Sequence, residues 1–135
     1  MEAVGARVLV VDDDAASREL LEVRLHALKC EVVLAADGRE ALAAIRRETP
    51  ALVLLDLQMP GMGGMEVLRE VRQDRIDLPV IVVTAHGSIE RAVEAMKEGA
   101  YDFILKPFDP KHLEIVIRKA LEREGLKREV ELLTR

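Results

Sequence analysis

Aromatic side chains are almost absent from this 135-residue chain, which has two Phe, one Tyr and no Trp. A core without aromatic bulk has to be built from Val, Leu, Ile, Ala and Met, and half of the residues are hydrophobic, which is enough for one. The single cysteine, Cys30, excludes a disulfide within the chain and fits a reducing compartment. Lying between two apolar stretches, it reads as a small buried hydrophobe. Positive charge is not in excess: 20 Lys and Arg stand against 25 Asp and Glu, a net charge of -5. A bare nucleic-acid-binding domain needs a basic face for the phosphates, so direct nucleic-acid binding is not expected. No apolar run approaches the roughly 20 residues that span a bilayer. The start, Met1 to Gly5, lacks the basic and apolar regions of a signal peptide. These absences predict a soluble, cytoplasmic protein without a membrane partner. The length suits one domain, residues 1–121, with a short extension, residues 122–135.

What is present is an alternation. Short apolar runs, Val8–Val11, Val32–Ala36, Leu52–Leu55, Val80–Val83 and Phe103–Leu105, are continuous rather than every-other-residue. Strands covered on both faces read this way. Between them lie stretches with helical spacing, Ala16–Leu28, Gly38–Glu48, Met65–Arg75 and Ile89–Glu98, in the last of which Ile89, Ala92, Val93 and Met96 form the apolar stripe. Asp37-Gly38, Pro50, Pro60-Gly61, Pro79, Gly87-Ser88, Gly99 and Pro107 punctuate the joints, and Ser88 is placed to cap the helix that follows it. Five strand–helix units predict an α/β fold, a doubly wound five-stranded parallel sheet with helices on both faces. Periodicity does not give the strand order. The segment from Pro110 to about Leu133 reads as one long helix. Leu113, Val116, Ile117, Ala120 and Leu121 form a stripe for the sheet. Leu126, Val130 and Leu133 continue it beyond Gly125 as a coiled-coil seam would.

In such a sheet, ligands bind beyond the carboxyl ends of the strands. Strand one ends in Asp12-Asp13-Asp14, strand three in Asp56, strand four in Thr84-Ala85 and strand five in Lys106-Pro107. Taken singly, each has a plainer reading: an acidic helix cap, a loop carboxylate, a strand-end hydroxyl, a solvated lysine. Together, each at its own strand end, they predict a pocket of three carboxylates, a hydroxyl and an ammonium. Carboxylates that close repel unless a cation joins them, and oxygen ligands suit magnesium. Gly61-Met62-Gly63-Gly64 is glycine-rich but no Lys-Ser/Thr follows, so a phosphate-binding P-loop is not expected.

The stretches Val10–Asp14, Leu55–Met62, Val83–Ala85 and Phe103–Phe108 resemble the response-regulator receiver domains of two-component signalling, a CheY-like, flavodoxin-like fold. The resemblance runs from about Arg7 to Leu121. It implies that Asp56 accepts a phosphoryl group from a sensor histidine kinase, or within a phosphorelay. It implies that Asp13, Asp56 and the backbone carbonyl of Gln58 bind Mg2+ directly and Asp12 mainly through water. Thr84 is implied to bond the phosphoryl oxygen after transfer, Lys106 to pair with that group or with Asp56, and the Lys106-Pro107 bond to be cis. Such a domain is a regulatory phosphoacceptor, not an enzyme with an external substrate, although it catalyses its own phosphotransfer and slow dephosphorylation.

Thr84–Phe103 is similar to the NtrC-type, sigma-54-dependent transcription activators, in which the last receiver helix continues through a linker to an AAA+ ATPase domain. The resemblance makes residues 122–135 the start of that linker, and its seam predicts a homodimer through the C-terminal helix. The switch aromatic of the family, often Tyr, is Phe103 here; Tyr101 is assigned the opposite side. Gln58 and His86, each two residues beyond a site residue, are expected to tune dephosphorylation. A haloacid-dehalogenase-like aspartyl-phosphate hydrolase needs a second acid where Gln58 stands. A free-standing interaction module would not need the C-terminal seam.

Overall fold

The computed structural model describes residues 5–59, 61–74, 76–85 and 89–134, with side chains as far as Arg123. Five strands, β1 (Arg7–Val11), β2 (Glu31–Ala35), β3 (Leu52–Asp56), β4 (Val80–Ala85) and β5 (Asp102–Lys106), alternate with five helices. These are α1 (Ala15–Ala27), α2 (Gly38–Arg47), α3 (Gly64–Gln73), α4 (Ile89–Lys97) and α5 (Pro110–Thr134). Every pairing is parallel and the order is β2-β1-β3-β4-β5. The winding reverses between β1 and β3, and the crevice beyond their carboxyl ends is the place such a sheet offers to a ligand.

Strand alternation divides the core in two. Leu9, Val11, Val53, Leu55, Val80 and Val82 point to one face, against Ala41, Leu42 and Ile45 of α2, Val67, Leu68 and Val71 of α3, and Ala95 of α4. Val8, Val10, Leu52, Leu54, Ile81, Val83 and Ile104 point to the other, against Leu21 and Leu25 of α1 and Leu113, Val116, Ile117 and Leu121 of α5. The apolar runs are continuous because both faces are covered. The edge strand β2 departs from that expectation: only Ala35 is buried, and Leu34 is 40% exposed. An edge strand has a neighbour on one side only, so its flank stays open to water.

The helices are anchored unequally. On the sheet, α5 buries four large aliphatic side chains, each worth roughly 1.5–3 kcal/mol when removed from water. By contrast α4 buries only Ala92 and Ala95. Ile89, Val93 and Met96, expected to line its inner stripe, are 48%, 45% and 38% exposed. The small residues of α4 face the sheet and the larger ones point outward. Ser88, the expected cap of α4, and Arg75, the expected end of α3, lie outside the described residues, and α3 ends at Gln73. Gly125 does not break α5. No helix among the described residues is long and apolar enough to cross a membrane.

Candidate functional site

The strand ends do converge. Asp12 follows β1 directly, its N–H donating to the Ala35 carbonyl at 3.1 Å. Its side chain is 1% exposed, and both carboxylate oxygens are engaged. Oδ1 accepts from the Asp14 N–H at 2.9 Å and Oδ2 from Lys106 Nζ at 2.9 Å. Asp13 is exposed. Asp14 turns away as the N-cap of α1, accepting from the Ser17 N–H at 3.2 Å and the Ser17 hydroxyl at 2.8 Å. Those two bonds hold its carboxyl below the usual carboxylate range.

Asp56 closes β3 and is 8% exposed. Its Oδ1 accepts from the Gln58 N–H at 3.1 Å, and its Oδ2 lies 4.0 Å from Lys106 Nζ. Burial pushes its carboxyl up to about 6 from 3.8. The Gln58 N–H and the Lys106 charge oppose the rise, and the Asp12 carboxylate adds to it. One carboxylate oxygen each from Asp12, Asp13 and Asp56 lies within 4.8 Å of the others. One ammonium against three carboxylates leaves net negative charge in a small space. A hard divalent cation with oxygen ligands removes that imbalance, so the donor set fits magnesium. At the end of β4, Thr84 is fully buried and its Oγ1 has no hydrogen-bond partner among the described residues. A buried hydroxyl without a partner is unfavourable by about 1–3 kcal/mol, and it remains able to donate to an anion seated in the pocket.

Asp12, Asp13, Asp56 and Lys106 are thus brought together, as the strand ends predicted, and the Lys106-Pro107 bond is cis. Lys106 reaches Asp56 at 4.0 Å, as expected, and lies closer still to Asp12, at 2.9 Å. Phe103 pairs in register with Val82, one side-chain step below Thr84 on the face that carries α4, and packs there against the core. Tyr101 packs on the other face, though not by strand alternation, since it precedes β5. His86 lies outside the described residues. Two neighbours were not read from the sequence. Ser17 Oγ lies 3.5 Å from Lys106 Nζ, and Arg18 Nη1 donates to the Asp12 carbonyl at 2.7 Å. The signal for both was their position in the first turn and a half of a helix capped by Asp14, where side chains lean back toward the strand end.

The response regulator receiver domain family matches residues 8–118. The chain belongs to that family. It is 44% identical over 117 residues to the probable transcriptional regulator ycf27 of Porphyridium aerugineum, covering 87% of this chain and 48% of that protein. It is 37% identical over 124 residues to the regulatory protein AtoC of Escherichia coli, covering 92% of this chain and 27% of AtoC. The crystal structure of NtrX from Brucella abortus superimposes with a TM-score of 0.89 at 42% identity, over 96% of this chain and 30% of that one. The receiver therefore spans about half the length of the ycf27 regulators it matches, and less than a third of AtoC and NtrX. NtrC-type relatives, expected from Thr84–Phe103, are among its matches, together with the ycf27 regulators. As a receiver it is a regulatory domain of two-component signalling, with transcriptional regulators among its relatives.

Proposed function

We propose that this receiver takes a phosphoryl group on Asp56 from the phosphohistidine of a sensor kinase and passes the change to a transcriptional output. The observation that carries the reading is the meeting of three carboxylates, Lys106 and the unpartnered, fully buried Thr84 hydroxyl at one end of the sheet. Asp13, Asp56 and the Gln58 carbonyl, with Asp12 behind them, would hold Mg2+. That ion supplies neutralisation of the phosphoryl oxygens when bound. An Asp56 carboxylate oxygen forms the new bond to phosphorus while the bond to the donor imidazole nitrogen breaks, its electron pair staying with the imidazole. Lys106 offsets negative charge on the group in transit. Afterwards Thr84 donates to a phosphoryl oxygen, the bond its hydroxyl otherwise lacks.

Phe103 lies one side-chain step from Thr84 on the face that carries α4, so movement of Thr84 biases the α4–β5–α5 surface. The light anchoring of α4 supports this, since a helix held by two alanines moves with little loss of packing. Gln58 and His86 then set how readily water removes the group. Residues 122–135 act as the linker, pairing two copies through Leu126, Val130 and Leu133 and relaying the change to an ATPase-type output. Incubation with acetyl phosphate and Mg2+ tests the chemistry: one acid-labile phosphoryl group per chain is expected, and none in Asp56→Asn. Equal labelling of Asp56→Asn would remove Asp56 from the reaction.

A further inference from the structure

Asp12 is held from four sides. Its N–H donates to Ala35, Asp14 N–H and Lys106 Nζ donate to its two carboxylate oxygens, and Arg18 Nη1 donates to its main-chain carbonyl at 2.7 Å. The last bond is the unusual one. At the end of β1 the ladder to β2 stops at Val11 with Ala35, and β2 then leaves the sheet toward the Asp37 cap of α2. The Asp12 carbonyl therefore has no strand to continue into, and a buried carbonyl needs a donor. Arg18 lies six residues on, at the fourth position of α1, and its side chain reaches back over the turn to supply one. A side chain this long, spent on one carbonyl, forms no ion pair among the described residues.

That carbonyl belongs to the peptide joining Asp12 to Asp13. Fixing its oxygen fixes the plane of the peptide, and with it the place of the Asp13 N–H and Cα from which the carboxylate projects. Asp13 needs such a constraint. It is exposed, and it is one of the three carboxylates within 4.8 Å of one another. Asp12 and Asp56 are held by hydrogen bonds to their own side chains; the backbone beneath Asp13 is what Arg18 holds.

We propose that Arg18 is a positioning residue of the receiver: by anchoring the Asp12 carbonyl it aims Asp13 into the cation site. The proposal rests on the reading of this pocket as a magnesium site. Two effects of removing Arg18 oppose each other, which makes it testable. A positive charge beside an anionic pocket disfavours a cation, so loss of charge alone would tighten Mg2+ binding. Loss of aim weakens it, by about tenfold if Arg18 acts as outer partners of metal ligands commonly do.

Mg2+ is titrated calorimetrically into the wild-type chain, Arg18→Met, Arg18→Lys and Asp13→Ala, with amide NMR spectra of the metal-free proteins alongside. Arg18→Met is expected to bind about tenfold more weakly, with the Asp13 and Asp14 amide signals moved before any metal is added. Arg18→Lys, which keeps the charge and can still donate, falls between it and wild type. Equal or tighter binding by a folded Arg18→Met overturns the proposal. Should Arg18→Met not fold, Arg18→Lys decides alone: a loss of about threefold supports positioning, and wild-type affinity overturns it. A wild-type chain that binds no Mg2+, or an Asp13→Ala that binds as wild type, is a different result, because it strikes the magnesium reading itself.

Discussion

Replacing Asp56 with Asn should stabilise the metal-free protein, although it removes the residue on which the proposed function turns. Burial lifts the Asp56 carboxyl from 3.8 to about 6. A folded-state value above the unfolded one means that the fold favours the protonated acid. The associated stability is therefore complete below pH 4, is lost as pH rises through about 6, and at pH 7 the ionised group is a burden. At about 1.4 kcal/mol per tenfold change in proton affinity, that burden is about 3 kcal/mol. An amide of the same shape carries no charge, so Asp56→Asn at pH 7 in EDTA should gain about 2–3 kcal/mol, or about 6–10 °C in Tm for a domain of this size. The gain should vanish at pH 4. Magnesium should narrow the gap at pH 7, since a ligand at 100 times its Kd stabilises the wild type by about 2.7 kcal/mol. Urea unfolding followed by far-ultraviolet circular dichroism is the assay, because the chain has no Trp and one Tyr to report by fluorescence. Equal midpoints at pH 7 in EDTA, or a gap as wide at pH 4 as at pH 7, would refute the reasoning.

Thr84→Val removes a buried hydroxyl that has no partner and should raise stability by about 1 kcal/mol, while NMR shifts around Phe103 on addition of beryllofluoride shrink; a destabilised variant would mean that the hydroxyl is satisfied in solution. Gly64→Ala should destabilise by about 1–3 kcal/mol in the same urea assay, because a Cβ there would run into the Asp56 carbonyl oxygen; a neutral result would show that the start of α3 can move away from β3. The linker prediction is a dimer in sedimentation at micromolar concentration, split by Val130→Glu with Leu133→Glu; a monomer mass that these changes leave untouched would defeat it.

The sequence showed the pocket more clearly than it showed the surface around it. Asp12, Asp13, Asp56, Thr84 and Lys106 were legible because each stands at the end of an apolar run, and parallel winding sends all those ends to one edge. The strand order was not legible, because each run is apolar throughout once both faces are covered. The inner stripe of α4 was misjudged as well. Ile89, Ala92, Val93 and Met96 have helical spacing, but of these only Ala92 is buried, together with Ala95, which the stripe did not include. The closeness of Lys106 to Asp12 depended on how the strand ends meet in space, and the bond from Arg18 on where a strand's ladder runs out. Spacing along the chain fixes neither contact, although the place of Arg18 early in α1 was a signal for the second.

The hydrogen bond from Lys106 to Asp12 joins residues 94 positions apart, from the ends of the first strand and the last. Closing so large a loop is entropically unfavourable early in folding, and contacts of this range slow the search for the native state. During synthesis the chain emerges from its amino end, so Asp12, Asp13 and Asp56 exist before β5 does. Until β5 docks beside β4 there is no ammonium among the carboxylates. A nascent or clipped chain therefore holds the acids without the lysine. The pocket with its ammonium in place is thus completed only when the last strand has docked.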